Sequence, residues 1–277
     1  MNCMRFIKCV IIGKKEALHM ENEIEILAHN GFTIAHYEAC DSTNARIKEM
    51  AENADDNTVC ISDLQTKGRG RKDRAWLSRP GAGAWFSCLV KPEAEMPAEY
   101  ASGLVFVAAL STAKALKKLT NENIKIKWPN DIVLNGRKIS GIMCEMRAKE
   151  MKLDFAVLGI GVNLLGCDFP PDLPYASSIE KETGICIPPM DFLKAFLDEY
   201  KFDREMWERN GLIAILNEIR PLSATLGERV RAISNNETIE GIARDILDDG
   251  SLIISAPDGD RIFIAGDVSV RGIMGYV

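Results

Sequence analysis

The stretch at residues 127–142 reads Lys127-Trp128-Pro129-Asn130-Asp131-Ile132-Val133-Leu134-Asn135-Gly136-Arg137-Lys138-Ile139-Ser140-Gly141-Ile142 and carries the clearest structural signals of the chain. Asn135-Gly136 is a dipeptide typical of a two-residue hairpin turn, in which both central positions need a positive φ. Runs with strand character lie on either side of it, at residues 131–134 and 138–146. The stretch therefore predicts a β-hairpin, preceded by a strand that stops at Pro129 because proline cannot donate to a ladder.

Lys138 follows this turn directly, at the start of a predicted strand. Its neighbours Ile139 and Ile142 are expected to face the core, so the ammonium group can be held in place. A fixed ammonium stabilises negative charge that develops on a carboxylate or phosphate oxygen. The alternative is an exposed turn lysine, which is the commoner situation for this residue type.

A basic, glycine-rich loop lies upstream of the hairpin. Residues 63–79 contain six basic and two acidic side chains, within a chain whose net charge is −6. Glycines alternate with arginines in Gly68-Arg69-Gly70-Arg71, and glycine permits close approach of the backbone to a ligand. Arginine matches phosphate and carboxylate groups with two parallel hydrogen bonds. The alternatives are a loop that closes over a phosphorylated ligand and a solvated charged loop. Trp76, just beyond it, can stack on a base or fill the core.

The composition is that of an ordinary globular protein. The chain has 277 residues, of which 47% are hydrophobic and 27% charged. This length predicts one large domain and one small one. The acidic balance argues against a protein that coats nucleic acid or an anionic membrane.

The rarer residues restrict the chemistry further. The eight cysteines show no C-x-x-C spacing and there are only three histidines, so no zinc site is predicted. We expect most cysteines to be buried free thiols in a reducing compartment, and the protein to be cytoplasmic. The apolar stretch at residues 101–113 is shorter than the roughly 20 residues of a membrane span, which predicts a buried helix and no membrane partner.

Three catalytic motifs can be rejected. Gly13-Lys14 lacks the first glycine of a phosphate-binding P-loop, since Lys8 stands at that position. Gly159-Ile160-Gly161 lacks the third glycine of a dinucleotide fingerprint, where Leu164 is found. No histidine lies near a serine or cysteine in a recognisable nucleophilic arrangement.

Strand and helix patterns alternate from residue 32 to residue 222, whereas residues 1–22 show little pattern. We expect no helix-turn-helix pair before residue 32, because the segment is too short for one. In addition to the hairpin, the patterns predict strands at residues 32–38, 58–64, 84–90 and 153–164. They predict helices at about 45–51, 99–119, 191–207 and 212–219. After residue 222 the strands become short and closely spaced, at residues 229–233, 238–246, 251–255 and 261–264. This change predicts a small C-terminal β-barrel domain.

Six motifs together resemble those of the biotin protein ligase family, and they occur in the family's order over residues 41–271. They are Asp41-Ser42-Thr43-Asn44, Gln65-Thr66-Lys67-Gly68-Arg69-Gly70-Arg71 with Arg74, Trp76 and Ser78, Lys127-Trp128-Pro129-Asn130-Asp131, Arg137-Lys138-Ile139-Ser140-Gly141-Ile142, Gly159-Ile160-Gly161-Val162-Asn163-Leu164 and Gly266-Asp267-Val268-Ser269-Val270-Arg271.

The resemblance implies an α+β fold of the class II synthetase and biotin ligase type. We expect a mixed β-sheet with flanking helices in a catalytic domain at residues 23–222. A small SH3-like β-barrel would follow at residues 223–277, and residues 1–22 would form an extension.

The resemblance also implies an activity. Such enzymes join biotin to AMP from ATP and then pass biotin to a lysine of a biotin carboxyl carrier protein. Biotin, ATP with Mg²⁺ and this carrier protein are the expected partners, and no DNA partner is expected. Neither step needs an enzyme nucleophile, so positioning and charge stabilisation would provide catalysis. The sequence does not decide between a monomer and a homodimer.

The site residues that the resemblance implies fall into three groups. The expected catalytic residues are Lys138, Arg71 and Asp131. The expected biotin-binding residues are Ser42, Thr43, Asn44, Gln65, Arg69, Gly70, Arg71, Lys138 and Gly141. The expected ATP- or adenylate-binding residues are Arg69, Arg71, Arg74, Trp76, Asn130, Asn163 and Arg271. Asp131 would either help to deprotonate the incoming lysine or help to place Mg²⁺, and Ser42 has helix capping as a second role.

Two other functions compete with this one. A lipoate- or octanoate-transferring ligase has a related fold and a central lysine, but the Gly-Arg-Gly-Arg loop and the C-terminal barrel favour biotin. A non-catalytic, biotin-responsive regulator is disfavoured by the acidic charge and by the lack of a DNA-binding element. Competition between biotin and lipoate, and a salt-dependent shift of DNA, would distinguish these alternatives.

Overall fold

The computed structural model of the protein describes residues 24–71, 74–92, 95–166, 168–233, 237–265, 269–272 and 275–276. The predicted extension at residues 1–22 and the first half of the last motif, Gly266-Asp267-Val268, lie outside these residues. So do Cys3, Cys9 and Cys167.

Within the described residues, eight strands form one sheet in the order β1-β2-β3-β4-β8-β7-β6-β5. Strands β2 and β3 are parallel and the other neighbours are antiparallel, so the sheet is mixed. In chain order the strands are Ile24–His29 (β1), Phe32–Cys40 (β2), Thr58–Gln65 (β3), Gly83–Val90 (β4), Lys125–Lys127 (β5), Asp131–Leu134 (β6), Arg137–Lys149 (β7) and Lys152–Asn163 (β8).

Helices cover both faces of this sheet. They are Thr43–Met50 (α1), Ala101–Thr120 (α2), Ile179–Thr183 (α3), Pro189–Asn210 (α4) and Leu212–Ile219 (α5). Side chains alternate between faces along each strand, so Val59 and Ile61 join the core that contains α2 and α4, while Cys60 joins the core beneath α1. The predicted mixed sheet with flanking helices is confirmed.

A second, antiparallel sheet follows in the order β12-β11-β10-β9-β13. Its strands are Arg229–Ile233 (β9), Thr238–Ile246 (β10), Leu252–Ala256 (β11), Gly259–Phe263 (β12) and Ser269–Gly272 (β13). Among the described residues, β12 and β13 are the two edges and do not pair with each other. The sheet is therefore open, and the predicted SH3-like barrel is not confirmed.

Trp128 joins the two sheets. Its backbone N–H donates to the Thr225 hydroxyl at 2.9 Å, and its indole Nε1–H donates to the Gly250 carbonyl at 2.9 Å. Trp128 is buried, so these hydrogen bonds are shielded from water. They fix the C-terminal sheet beside the end of β5, close to the hairpin that the sequence identifies.

The described parts of the chain add two smaller findings. Cys40, Cys60, Cys88, Cys144 and Cys186 are free thiols, and the first three are buried. Among the described helices, none is long and apolar enough to cross a membrane.

Candidate active site

A cavity of about 590 Å³ lies on the face of the sheet that carries α1, and residues from both sheets line it. Every site residue that the sequence predicts lines this one cavity: Ser42, Thr43, Asn44, Gln65, Arg69, Gly70, Arg71, Arg74, Trp76, Asn130, Asp131, Lys138, Gly141, Asn163 and Arg271. The volume is in the range of small-molecule sites. The structure thus brings the predicted residues together, while their individual roles remain predictions.

One end of the cavity is a network of hydroxyl and amide groups at the start of α1. The Thr43 backbone N–H and hydroxyl donate to Gln65 Oε1 at 2.8 and 3.1 Å. The Ser87 hydroxyl donates to Asn44 Oδ1 at 2.5 Å and lies 2.7 Å from the Thr43 hydroxyl. Asn44 Nδ2 donates to Glu145 at 2.7 Å. Ser87 and Glu145 were not predicted, because their neighbours lie across the sheet rather than along the chain.

Ser42 lies at the N-cap position of α1, with φ −158° and ψ 131°. Its side chain makes no capping hydrogen bond to any described residue, so the second role considered for it, helix capping, is wrong. The buried Ser42 side chain instead lines the cavity.

Glycines form the floor beneath these groups. A Cβ atom on Gly159 would lie 2.3 Å from Asn44 Oδ1, and one on Gly161 would lie 2.5 Å from the Trp76 indole. Gly161 pairs with Gly141 across β7 and β8. The absence of side chains here therefore lets Trp76 rest on the sheet, where its ring meets Trp85 edge-on at 6.3 Å. Trp76 is half-buried and borders the cavity, which places it between the two alternatives of core filler and stacking surface.

The basic loop folds back on itself over the cavity. The Gly70 N–H donates to the Arg74 carbonyl at 2.7 Å, and the Trp76 N–H donates to the Gly68 carbonyl at 2.9 Å. Arg71 Nη1 donates to Asn130 Oδ1 at 2.5 Å, which ties the loop to the end of β5. Burial lowers the pKa of Arg71, so its charge is partly desolvated and available to an anion.

Lys138 and Asp131 form an ion pair at the centre of the cavity, with Nζ donating to Oδ1 at 2.6 Å. A bulge between β6 and β7 places Lys138 opposite Val133, and Ser140 opposite Ile132. Residues three apart on a regular strand face opposite sides, so this extra residue puts Lys138 and Gly141 on the same side.

Ile139 and Ile142 are buried in the core, as predicted for the neighbours of Lys138. The Lys138 backbone is also held, because its N–H donates to the Tyr175 carbonyl at 2.7 Å. The side chain is 26% exposed rather than extended into solvent. The expectation of a held ammonium is confirmed, and the alternative of an exposed turn lysine is not.

Two unpredicted residues, Tyr276 and Lys127, complete this end of the cavity. The Tyr276 hydroxyl donates to Asp131 Oδ2, and the Tyr276 ring lies 3.5 Å from Lys127 Nζ. Lys127 is 3% exposed. Burial lowers its pKa to about 7, nearby cations such as Arg271 add to this effect, and Asp131 opposes it.

Asp131 is ionised in this setting. Burial alone would raise its pKa, but the ion pair and hydrogen bond with Lys138, the hydrogen bond from Tyr276 and the charge of Lys127 outweigh burial. The pKa of Asp131 therefore lies below its usual value. A carboxylate with a lowered pKa is a weak base and a good partner for a cation.

The remaining candidates lie at the edge of the cavity. The Asn163 amide donates to the Ser177 carbonyl at 3.0 Å, so this donor already has a structural partner. Arg74 is exposed, and Arg271 lies beside the Tyr276 ring at 5.4 Å. In the described part of the chain, His, Cys, Asp and Glu form no group of three or more that could hold a metal ion.

Comparison with known proteins identifies the class to which this fold and cavity belong. Residues 37–163 match the Biotin/lipoate A/B protein ligase family, and residues 225–271 match the biotin protein ligase C-terminal domain.

Individual relatives narrow this class. The biotin--[acetyl-CoA-carboxylase] ligase of Paracoccus denitrificans is 31% identical over 238 residues, which cover 84% of this chain and 98% of that protein. The bifunctional ligase/repressor BirA of Bacillus subtilis (strain 168) is 29% identical over 244 residues, or 87% of this chain and 74% of that protein. The structure of the biotin protein ligase from Aquifex aeolicus in complex with biotin and ATP superposes with a TM-score of 0.76 at 28% identity, covering 86% of this chain and 98% of that one. The chain belongs to the biotin protein ligase family.

Proposed function

We propose that this protein activates biotin with ATP to biotinyl-5'-AMP and transfers the biotinyl group to a lysine of a biotin carboxyl carrier protein. The observation that carries the proposal is the division of one cavity into a neutral end of hydroxyl and amide groups and a cationic end. A ureido ring needs the former, whereas a carboxylate and a polyphosphate need the latter. The relative from Aquifex aeolicus binds biotin and ATP together, which agrees with such a division.

The charge balance of the cavity supports a polyanionic substrate. Six cationic side chains line it: Arg69, Arg71, Arg74, Lys127, Lys138 and Arg271. Asp131 and Asp172 are the acidic residues among the described lining residues, and Asp131 already pairs with Lys138. Cationic side chains that are already in place before the reaction can stabilise the negative charge that develops on phosphate oxygens. They do not have to move during the reaction.

The cavity also fits a reaction without an enzyme nucleophile. No cysteine or histidine is among the described residues that line it. The reaction would join the biotin carboxylate to the α-phosphate of ATP and release pyrophosphate, and the carrier lysine would then displace AMP. Both steps need alignment and charge stabilisation.

Individual roles follow from the positions of the side chains. We assign Ser42, Thr43, Asn44 and Gln65 to the biotin ring, and Lys138 to the carboxylate and the α-phosphate. Arg69, Arg71, Arg74 and Arg271 would bind the phosphates, while Trp76 would present its indole to the adenine. Gly70, Gly141, Asn130 and Asn163 would shape the walls. The lowered pKa of Asp131 disfavours a role as a base. Its ion pair with Lys138 at 2.6 Å favours a third role, which is to position Lys138.

Mg²⁺ would enter with ATP. The oxygen donors that the cavity offers, above all the carboxylates of Asp172 and Asp131, suit this ion. Because Asp131 is already engaged, phosphate oxygens and water would provide most ligands. The bound ion would reduce the negative charge of the phosphates.

The expectations about domain organisation, cellular location and partners also remain proposals. The domain boundary would lie at residue 222, and the open C-terminal sheet would belong to an SH3-like domain. The free cysteines favour action in the cytoplasm. The lack of a DNA partner remains a prediction, and a monomer and a homodimer remain alternatives.

Mass analysis of the small-molecule product tests the proposal. Incubation with biotin, ATP and Mg²⁺ should yield biotinyl-5'-AMP, and addition of an acceptor carrier domain should move biotin to its lysine. Excess lipoate should not compete. Formation of a lipoyl adenylate instead would assign the chain to the lipoate branch.

The variant Lys138→Ala should reduce adenylate formation by roughly a hundredfold, since a contact of this type contributes about 3 kcal/mol. Lys194→Ala removes an exposed lysine outside the cavity and serves as the matched control. Equal rates for the two variants would contradict the role of Lys138.

A further inference from the structure

Tyr276 reaches the cavity from the C-terminal tail, 145 residues away in sequence from its partner Asp131. Strand β13 ends at Gly272, whose N–H donates to the Tyr276 carbonyl at 3.4 Å. Tyr276 therefore lies beside the end of β13 and contacts Asp131 at the start of β6. Tyr276 is only 6% exposed, although it lies almost at the end of the chain.

The Asp131 carboxylate is held from both sides. Lys138 Nζ donates to Oδ1 at 2.6 Å, while the Tyr276 hydroxyl donates to Oδ2. A carboxylate bound at one oxygen can rotate about its last bond, whereas one bound at both oxygens cannot. Asp131 can then present Oδ1 to Lys138 in a single orientation.

A closed circuit of contacts links the same residues. The Lys138 N–H donates to the Tyr175 carbonyl at 2.7 Å, and the Tyr175 ring lies 5.6 Å from the Tyr276 ring. Tyr276 in turn binds Asp131, which binds Lys138. The backbone and the ammonium group of Lys138 are thus fixed by groups that also fix each other.

We propose that Tyr276 is a positioning residue of the active site, which orients the Asp131 carboxylate so that Asp131 holds the Lys138 ammonium group at the reacting oxygens. This inference rests on the proposed function, because it assigns to Lys138 the contact with the carboxylate and the α-phosphate. It makes Tyr276, which follows β13, part of the active site. Preorganisation of this kind acts on the chemical step more than on substrate binding.

A role of Tyr276 in packing alone does not explain why a hydroxyl group is buried at this position. An apolar side chain would fill the space beside Tyr175, yet the hydroxyl lies buried against the carboxylate. Burial and the neighbouring Asp131 charge raise the pKa of Tyr276, so the hydroxyl keeps its proton and donates. The ring also lies 3.5 Å from Lys127 Nζ and so helps to shield this buried ammonium group from water.

The test uses Tyr276→Phe in the full-length chain, which removes the hydroxyl and keeps the ring. The rate of biotinyl-AMP formation is measured by mass analysis in single-turnover reactions, and KM for biotin and ATP is measured in steady state. We expect kcat to fall roughly tenfold, as for loss of a hydrogen bond to a charged group, and both KM values to change less than about twofold. Tyr100→Phe removes an exposed tyrosine hydroxyl outside the cavity and should leave all three values unchanged.

A double-mutant cycle with Asp131→Asn separates positioning from a structural role. If Tyr276 acts through Asp131, its substitution in the Asp131→Asn background should lower the rate by less than about twofold. The same roughly tenfold loss in both backgrounds would overturn the proposal, because the effect would then be independent of Asp131. Loss of activity that parallels a loss of folded protein in thermal unfolding would also overturn it.

The wild-type protein keeps this test separate from that of the proposed function. Wild-type protein that forms no biotinyl-AMP contradicts the proposed function, and this inference with it. Active wild-type protein with a fully active Tyr276→Phe variant contradicts the inference alone.

Discussion

Lys127 is a buried lysine whose surroundings disfavour its positive charge. It is 3% exposed, its Nζ faces the Tyr276 ring, and the cations Arg271, Lys138 and Arg74 lie near enough to lower its pKa further. In the folded protein this pKa is about 7, against 10.5 for an ordinary lysine. Between these two values the unfolded chain binds one proton more than the folded chain.

Lys127→Met should therefore change how stability depends on pH. The free energy of unfolding of the wild type should rise with pH between 7 and 10.5, by up to about 1.4 kcal/mol per pH unit, because the unfolded state holds the extra proton. The variant lacks this titration. Its free energy of unfolding should therefore exceed that of the wild type by the largest amount near pH 6, and the difference should shrink above pH 7. Denaturant unfolding at several pH values measures the difference.

Lys125→Met is the matched control, two residues earlier on β5. Lys125 Nζ donates to the Pro221 carbonyl at 3.2 Å in an exposed position. Its substitution is measured over the same pH range, as the reference for removing a lysine from β5. A difference between Lys127→Met and wild type that does not vary with pH would show that Lys127 keeps an ordinary pKa.

Residues such as Lys138 and Arg71 could be predicted from the sequence because each lies in a short motif with a recognisable spacing. Ser87, Glu145 and Tyr276 could not. Ser87 and Asn44 are 43 residues apart, Asn44 and Glu145 are 101 apart, and Asp131 and Tyr276 are 145 apart. Their proximity depends on the strand order and on the packing of distant segments, which local patterns do not encode.

At the scale of elements, the hairpin was the most predictable part of the fold. Asn135 and Gly136 have φ values of 52° and 73°, as the two-residue turn requires. Strand β1 was not predicted because it is a short edge strand in which Glu25 interrupts the apolar residues, and α3 was not predicted because it has only five residues. Strand β13 was not predicted because it has only four residues, and these were interpreted as part of a motif rather than as a strand.

The glycines of β7 and β8 form a floor that allows Trp76 to lie on the sheet. One added methyl group tests this role. Gly161→Ala would place Cβ 2.5 Å from the rigid indole of Trp76. The ring must then move, so we expect kcat/KM for ATP to fall roughly tenfold, in line with the cost of overpacking. Gly166→Ala is the control, since its Cβ would meet only the end of the Glu180 side chain, at 3.0 Å. Adenylate formation at the wild-type rate by Gly161→Ala would contradict a role of the floor in holding Trp76.

At the scale of the whole molecule, the cavity depends on both sheets. Residues 269–271 and Tyr276 line it from the C-terminal side, while the other lining residues belong to the first sheet and its connections. The sequence predicts two units from the change in strand spacing, and the described strands form two separate sheets. It could not predict how the units pack, because Trp128 looks like any core tryptophan until its hydrogen-bond partners are known.

Trp128→Phe tests whether this packing stabilises the protein. The change leaves the buried Gly250 carbonyl without the indole donor, so the free energy of unfolding should fall by about 1–3 kcal/mol beyond the loss from reduced volume. Trp85→Phe is the matched control, because Trp85 Nε1 is buried without a hydrogen-bond partner among the described residues. Because Trp85→Phe removes an N–H without a partner, it should lower the free energy of unfolding by less than Trp128→Phe does. Denaturant unfolding measures both variants, and an equal loss would mean that the Trp128 hydrogen bond does not hold the sheets together.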